Sequence, residues 1–189
     1  MPAKPKKSQK KTGPDLKPKL VEAGLRLLAA GAAAARLDAK IVAAEAKLKP
    51  AQATANFPDW QDYLLALLKI LSQEVRLEAV KAIAMKPPGR SLIREGIAAY
   101  LDTILQRPAL LEITSMLRAH PVCQQITRDR MTSLVMLATL QLKMAEVKNA
   151  EGIGQLGMAM LFEITHAEYE ARRALPDYRH TIDSYFIRN

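Results

Sequence analysis

The sequence has one cysteine, Cys123, three histidines and only 5% aromatic residues. A single cysteine excludes an internal disulfide framework and fits a reducing compartment, here the cytoplasm. No stretch alternates apolar with polar residues, so no sheet is expected. Long apolar runs are missing too: the longest uncharged stretches, Met131–Leu142 and Gly152–Phe162, are too short to span a bilayer. The basic N-terminus is followed by no apolar segment, so it does not read as a secretory signal. There is no internal repeat and no Gly-rich phosphate loop. Reactive groups are sparse. Glu163-Ile164-Thr165-His166 has the Glu-x-x-His spacing of di-iron helices, but such a centre needs a second copy and further carboxylates. His120 and Cys123 are close in sequence, yet Pro121 separates their helices, and both read as structural or as polar groups of a pocket. The expectation is a protein that is not an enzyme and carries no metal or cofactor.

What is present points to helices. Ala, Leu and Met, all strong helix formers, supply most of the apolar content. The net charge is +9, and residues 1–19 hold seven lysines (Lys4, Lys6, Lys7, Lys10, Lys11, Lys17 and Lys19) against Asp15 alone. The basic character is therefore mostly a tail. Residues 1–15 read as a disordered basic arm, able to release counterions from a polyanion.

Periodicity and punctuation place the elements. A first helix is predicted over Leu16–Ala30, with Leu20, Ala23, Leu27 and Leu28 on one face and Gly31 ending it. Asp38 caps a short second helix to about Ala46, and Pro50 opens a third that Phe57-Pro58 stops. Asp59 caps a long fourth helix carrying Tyr63, Leu64, Leu67, Leu68, Leu71 and Val75. After the breaker Lys86-Pro87-Pro88-Gly89 comes a helix striped by Ile93, Ile97, Tyr100, Leu101 and Ile104 and ended by Pro108. A short helix closed by Pro121 is next, then two long helices over roughly 122–149 and 152–173, a turn at Pro176 and a short terminal segment.

Leu20-Val21-Glu22-Ala23-Gly24-Leu25-Arg26-Leu27-Leu28-Ala29-Ala30-Gly31 resembles the first helix of the TetR family of transcriptional regulators. Val42-Ala43-Ala44-Glu45-Ala46-Lys47-Leu48 is similar to the family's second helix and turn. Lys49-Pro50-Ala51-Gln52-Ala53-Thr54-Ala55-Asn56-Phe57-Pro58 is similar to its third helix, and Asp59-Trp60-Gln61-Asp62-Tyr63-Leu64-Leu65-Ala66-Leu67-Leu68 to the start of its fourth. Further on, Tyr100-Leu101-Asp102-Thr103-Ile104-Leu105-Gln106-Arg107-Pro108 and Arg118-Ala119-His120-Pro121 resemble its middle helices. The resemblance implies an all-α fold: a three-helix helix-turn-helix headpiece over 16–58 and a helical ligand-binding and dimerisation body over 59–189. The sequence departs from the family at three points. Lys47 replaces the usual turn glycine, Thr54 and Asn56 stand where aromatics are common, and Trp60 replaces a basic residue.

The function this implies is a ligand-responsive, DNA-binding repressor acting as a homodimer on a palindromic duplex. A helix-turn-helix puts its second helix in the major groove, where amides, hydroxyls and methyls read base edges. Gln52, Thr54 and Asn56 are the candidate readers, and Lys40, Lys47 and Lys49 the phosphate contacts. The helices around Met131–Leu140 and Ile153–Phe162 are apolar on more than one side, which predicts a subunit interface through Leu137, Leu140, Gly157, Met160, Leu161 and Ile164. Met85, Tyr100, Met116, His120, Met131 and Met136 are the candidates for a pocket that takes an apolar effector. The alternative is a dimeric adaptor or small-molecule sensor that has lost DNA binding.

Overall fold

The computed structural model describes residues 15–188. Among them are nine α-helices and one 3₁₀ turn (Ala34–Arg36), with no strand: α1 Lys17–Ala29, α2 Ala39–Glu45, α3 Pro50–Asn56, α4 Trp60–Ile83, α5 Arg90–Gln106, α6 Ala109–Met116, α7 Pro121–Met144, α8 Ala150–Ala171 and α9 Pro176–Arg188. The basic arm expected at the N-terminus lies, but for Asp15, outside the described residues.

The helix starts follow the acidic caps. The Asp38 carboxylate accepts from the Lys40 and Ile41 amides, both at 2.8 Å, and Asp59 accepts from Gln61 N–H at 2.8 Å. Four helix ends share one device. After α1, Gly31 and Ala32 donate back to Leu28 and Leu27, each at 3.0 Å, with Gly31 at φ 89°. This is the Schellman motif, which needs a left-handed residue after the cap. α2, α7 and α8 end the same way, but the left-handed residues are Lys47, Glu146 and Arg172.

Helices α1 to α3 pack together, and α1 also rests on the start of α4. Tyr63 is the joint. It is fully buried, and its hydroxyl donates to Leu20 O at 3.1 Å. It reaches that carbonyl because residue 24 is glycine: a methyl there would overlap the Tyr63 hydroxyl. Trp60 stacks on Tyr63 at 4.2 Å between centroids and donates its indole N–H to Leu37 O at 3.1 Å. The position expected to be basic in a TetR-like chain is thus used to lock the helix junction.

The rest of α4 packs on α5, α6 and α7, and α8 lies along α7. Two features differ from the sequence reading. Pro121 opens α7 in its first turn, where its missing N–H costs nothing, instead of closing α6. The terminal segment is a 13-residue helix, α9, which packs on α5 and α8. Its Ile182 and Phe186 are buried, and Phe186 fills the space above Gly157. Arg179 of α9 grips the buried Glu168 carboxylate through Nε at 2.6 Å and Nη2 at 2.8 Å, and also reaches Asp102 at 2.5 Å. Glu168 is 1% exposed, so this pair cannot lose one member cheaply.

Both close approaches are testable by overpacking. Gly24→Val and Gly157→Val are each expected to lower the unfolding free energy by about 1–3 kcal/mol, measured by urea denaturation. Glu168→Ala, which leaves the partly buried Arg179 guanidinium with Asp102 alone, is expected to cost about 3 kcal/mol in the same assay.

Candidate nucleic-acid interface and effector cleft

The α2–turn–α3 unit sits on the surface opposite the α1 and α4 packing. Ala43, Ala46 and Ala53 face inward, and Ala51, Gln52, Thr54 and Ala55 face solvent. Small inward residues let the two short helices pack closely, and small outward ones leave α3 slim. The acidic side chains nearby are occupied. Glu22 and Glu45 hold Arg26 at 2.9 and 2.8 Å, while Asp38 and Asp59 serve as caps. Arg36, Lys40, Lys47 and Lys49 remain exposed around the turn and the start of α3. The headpiece, with seven basic and three acidic side chains over residues 16–58, therefore presents positive charge where α3 is exposed.

The three proposed readers are not equally available. Gln52 Oε1 accepts from Lys49 N–H at 2.9 Å, capping α3. Thr54 donates to Pro50 O at 3.3 Å within its own helix. Asn56 is used at both ends: Nδ2 donates to Gln52 O at 2.8 Å, and Oδ1 accepts from Leu16 N–H at 3.1 Å. Asn56 thereby ties the start of α1 to the end of α3.

A cleft of about 480 Å³ opens between α4, α5 and α7, with Ser72, Arg76, Tyr100, Arg130 and Met136 among its walls. A narrower apolar pocket of about 40 Å³ continues from it among α4, α5, α7 and α8. The two share Ala79, Tyr100, Leu134 and Leu137. Burial pushes the Tyr100 phenol above its ordinary value, with Arg130 pulling the other way, so its hydroxyl stays a donor at neutral pH.

A second contact joins body to headpiece. The 3₁₀ turn packs on α6, where Ala34 N–H donates to Glu112 Oε2 at 2.8 Å. Arg172, the left-handed residue after α8, lies 3.8 Å from the other Glu112 oxygen.

This arrangement is similar to that of known regulators. A transcriptional regulator from Rhodococcus sp. Rha1 superposes with TM-score 0.72 at 12% identity, over 90% of this chain and 93% of that one. The multidrug binding protein EbrR, complexed with imidazole, gives 0.68 at 16%, over 92% and 96%. A TetR-family transcriptional regulator from Streptomyces coelicolor gives 0.66 at 12%, over 93% and 78%. The chain has the TetR-family fold. No protein-family model and no curated protein matches the sequence.

Within the TetR fold the sequence-predicted residues separate. Of the pocket candidates, Tyr100 and Met136 line the cleft. Met85 is fully exposed in the loop after α4, Met116 ends α6 in solvent, and Met131 is exposed on α7. His120 is the N-cap of α7, its Nδ1 accepting from Val122 N–H at 3.2 Å. Methionine content alone could not tell these places apart. The cleft is also less apolar than expected, because Ser72 and Arg130, which composition gave no reason to single out, form part of it.

Of the interface candidates, Leu140 is 54% exposed and Met160 half-buried, while Leu137 lines the cleft. Gly157, Leu161 and Ile164 are buried inside the protomer, Gly157 beneath Phe186 of α9. Gly157 is covered by α9, whereas Leu161 lines the narrow apolar pocket among α4, α5, α7 and α8.

Lys47, in place of the usual turn glycine, has φ 54°, a left-handed conformation that favours glycine. A side chain there costs about 1 kcal/mol relative to glycine. Lys47→Gly is expected to raise the unfolding free energy by about that amount, and Lys47→Ala to leave it nearly unchanged, by chemical denaturation.

Proposed function

We propose that the chain is a homodimeric, ligand-responsive DNA-binding regulator that acts as a repressor, with residues 16–58 as the DNA-reading unit and 59–189 as the sensing and dimerising unit. The observation that carries this reading is the exposed, slender α3 set among Arg36, Lys40, Lys47 and Lys49. The cations neutralise phosphate and fix register, while Gln52, Thr54 and the alanine methyls of α3 meet base edges. The lysines of the arm add sequence-independent attraction to phosphate.

Dimerisation is supported by apolar side chains that α7 and α8 leave in solvent, namely Leu140, Met144 and the 62% exposed Leu156. A two-fold dimer through this surface presents two equivalent reading helices, which calls for a palindromic site. Sensing runs through α4. Ser72 and Arg76 line the cleft, and Tyr63, about 14 Å along the same helix from Ser72, is bonded to α1. A ligand that favours one tilt of α4 shifts DNA affinity by its differential affinity for the two states.

A second reading, an adaptor or sensor without specific DNA binding, is favoured by the internal use of the Gln52 and Asn56 amides. Selection of duplexes followed by salt titration separates the two. Under the first reading one palindromic sequence is enriched, and deleting residues 1–14 weakens binding to every duplex and lowers the salt slope by roughly 4. Gln52→Ala changes the preferred sequence at a cost of about 1–3 kcal/mol. No enrichment, with all binding lost on removing the arm, establishes the adaptor. For assembly, Leu140→Arg and Leu156→Asp are expected to shift the chain to monomer in sedimentation at micromolar concentration.

A further inference from the structure

The cleft has a polarity that narrows its ligand. Three buried polar atoms in its wall make no hydrogen bond within the chain: Ser72 Oγ, Tyr100 Oη and Arg130 Nε. Tyr100 is 1% exposed, so its hydroxyl has nowhere to point but the cavity. Leaving such groups unsatisfied is costly, so a site that keeps them is built for a complementary group. All three can donate, and the strongest donor is cationic. Arg130 lies over the Phe162 ring at 5.7 Å, and among the described residues it forms no ion pair. The one acidic wall residue, Asp129, is exposed and accepts from Gln125 Nε2 at 2.6 Å. Lys69 and Arg76 add positive charge at the exposed rim.

The apolar side gives the rest of the shape. Beyond Tyr100, Leu134 and Leu137 the cleft narrows into the pocket of about 40 Å³, walled by residues such as Ile93, Ile97, Met158 and Leu161. Its width suits the end of a slender alkyl chain rather than a ring system. Its unpartnered polar atom, Gln141 Oε1, is an acceptor and repels an oxyanion, so the charged end belongs at Arg130.

We propose that the effector is an amphipathic monocarboxylate with a linear alkyl tail, its carboxylate held by Arg130, Tyr100 and Ser72 and its tail directed past Leu134 and Leu137. One inward cation without a carboxylate partner matches one negative charge, and the planar guanidinium suits a carboxylate. The inference rests on the reading of the body as a ligand sensor.

The test is calorimetric titration of the full chain with octanoate, octanamide and octylamine, which share a tail and differ in the charge of the head. Octanoate is expected to bind at least about tenfold more tightly than octanamide, as for a charge-assisted hydrogen bond of about 1.4 kcal/mol, and octylamine not to bind. Arg130→Met is expected to erase that preference while leaving octanamide binding in place, which also shows that the variant is folded. Arg130→Lys restores part of it. Tyr100→Phe weakens octanoate by several-fold. Binding of octanamide or octylamine as tight as octanoate, or an octanoate affinity unchanged in Arg130→Met, overturns the carboxylate assignment and leaves the cleft as a ligand site. Failure of all three probes to bind overturns the cleft as an effector site, and the carboxylate with it.

Discussion

The seating of Tyr63 against Gly24 is the constraint on which the rest of the molecule turns. A single methyl at residue 24 would keep the phenol from the Leu20 carbonyl, and with it the N-terminal end of α4 from α1. Because Trp60 stacks on the same ring and bonds Leu37 O, one cluster fixes α4 to two sides of the headpiece. Helix α4 runs 24 residues without a break, about 36 Å, and its later turns form a wall of the cleft. Helix α4 thus has a tightly packed joint at one end and a hollow wall at the other.

The headpiece gains its electrostatic character by disposing of its acids. Asp38 and Asp59 are turned into helix caps, and Glu22 and Glu45 into partners for Arg26. Each of these contacts serves the local fold, and together they leave the remaining cations unopposed around α3. The charge presented around α3 is therefore set by where the carboxylates lie, with Asp38 and Asp59 held at helix starts and Glu22 and Glu45 at Arg26. The left-handed Lys47 adds to this: the Schellman ending of α2 projects an ammonium at the turn where glycine projects nothing.

In the body, α9 closes over one face of α8. Phe186 and Ile182 close over α8, and the Arg179–Glu168 pair anchors the helix to a carboxylate buried in the core. With Gly157 covered by Phe186 and Leu161 and Ile164 buried within the protomer, the outward apolar set contracts to residues such as Leu140, Met144 and Leu156. The cleft is then bounded by well-packed helices on one side and by Arg130, with no carboxylate partner, on the other. This asymmetry gives the cavity a charged end and an apolar end.

The sequence by itself determined the helical class, the caps at Asp38 and Asp59, the Gly31 ending and the Pro50 start of α3. All of these are local: a cap or a left-handed turn depends on residues within one or two turns of chain, so spacing is enough to read them. The all-round apolar character of α8 was legible too, but not what buries it. Gly157 pairs with a phenylalanine 29 residues further along, and only the packed structure shows that α9 and not a second subunit covers it. The same holds for the cleft. Ser72, Tyr100 and Arg130 stand on three different helices and have no common motif, so their convergence, and the absence of a carboxylate partner for Arg130 among the described residues, were decided by tertiary packing alone.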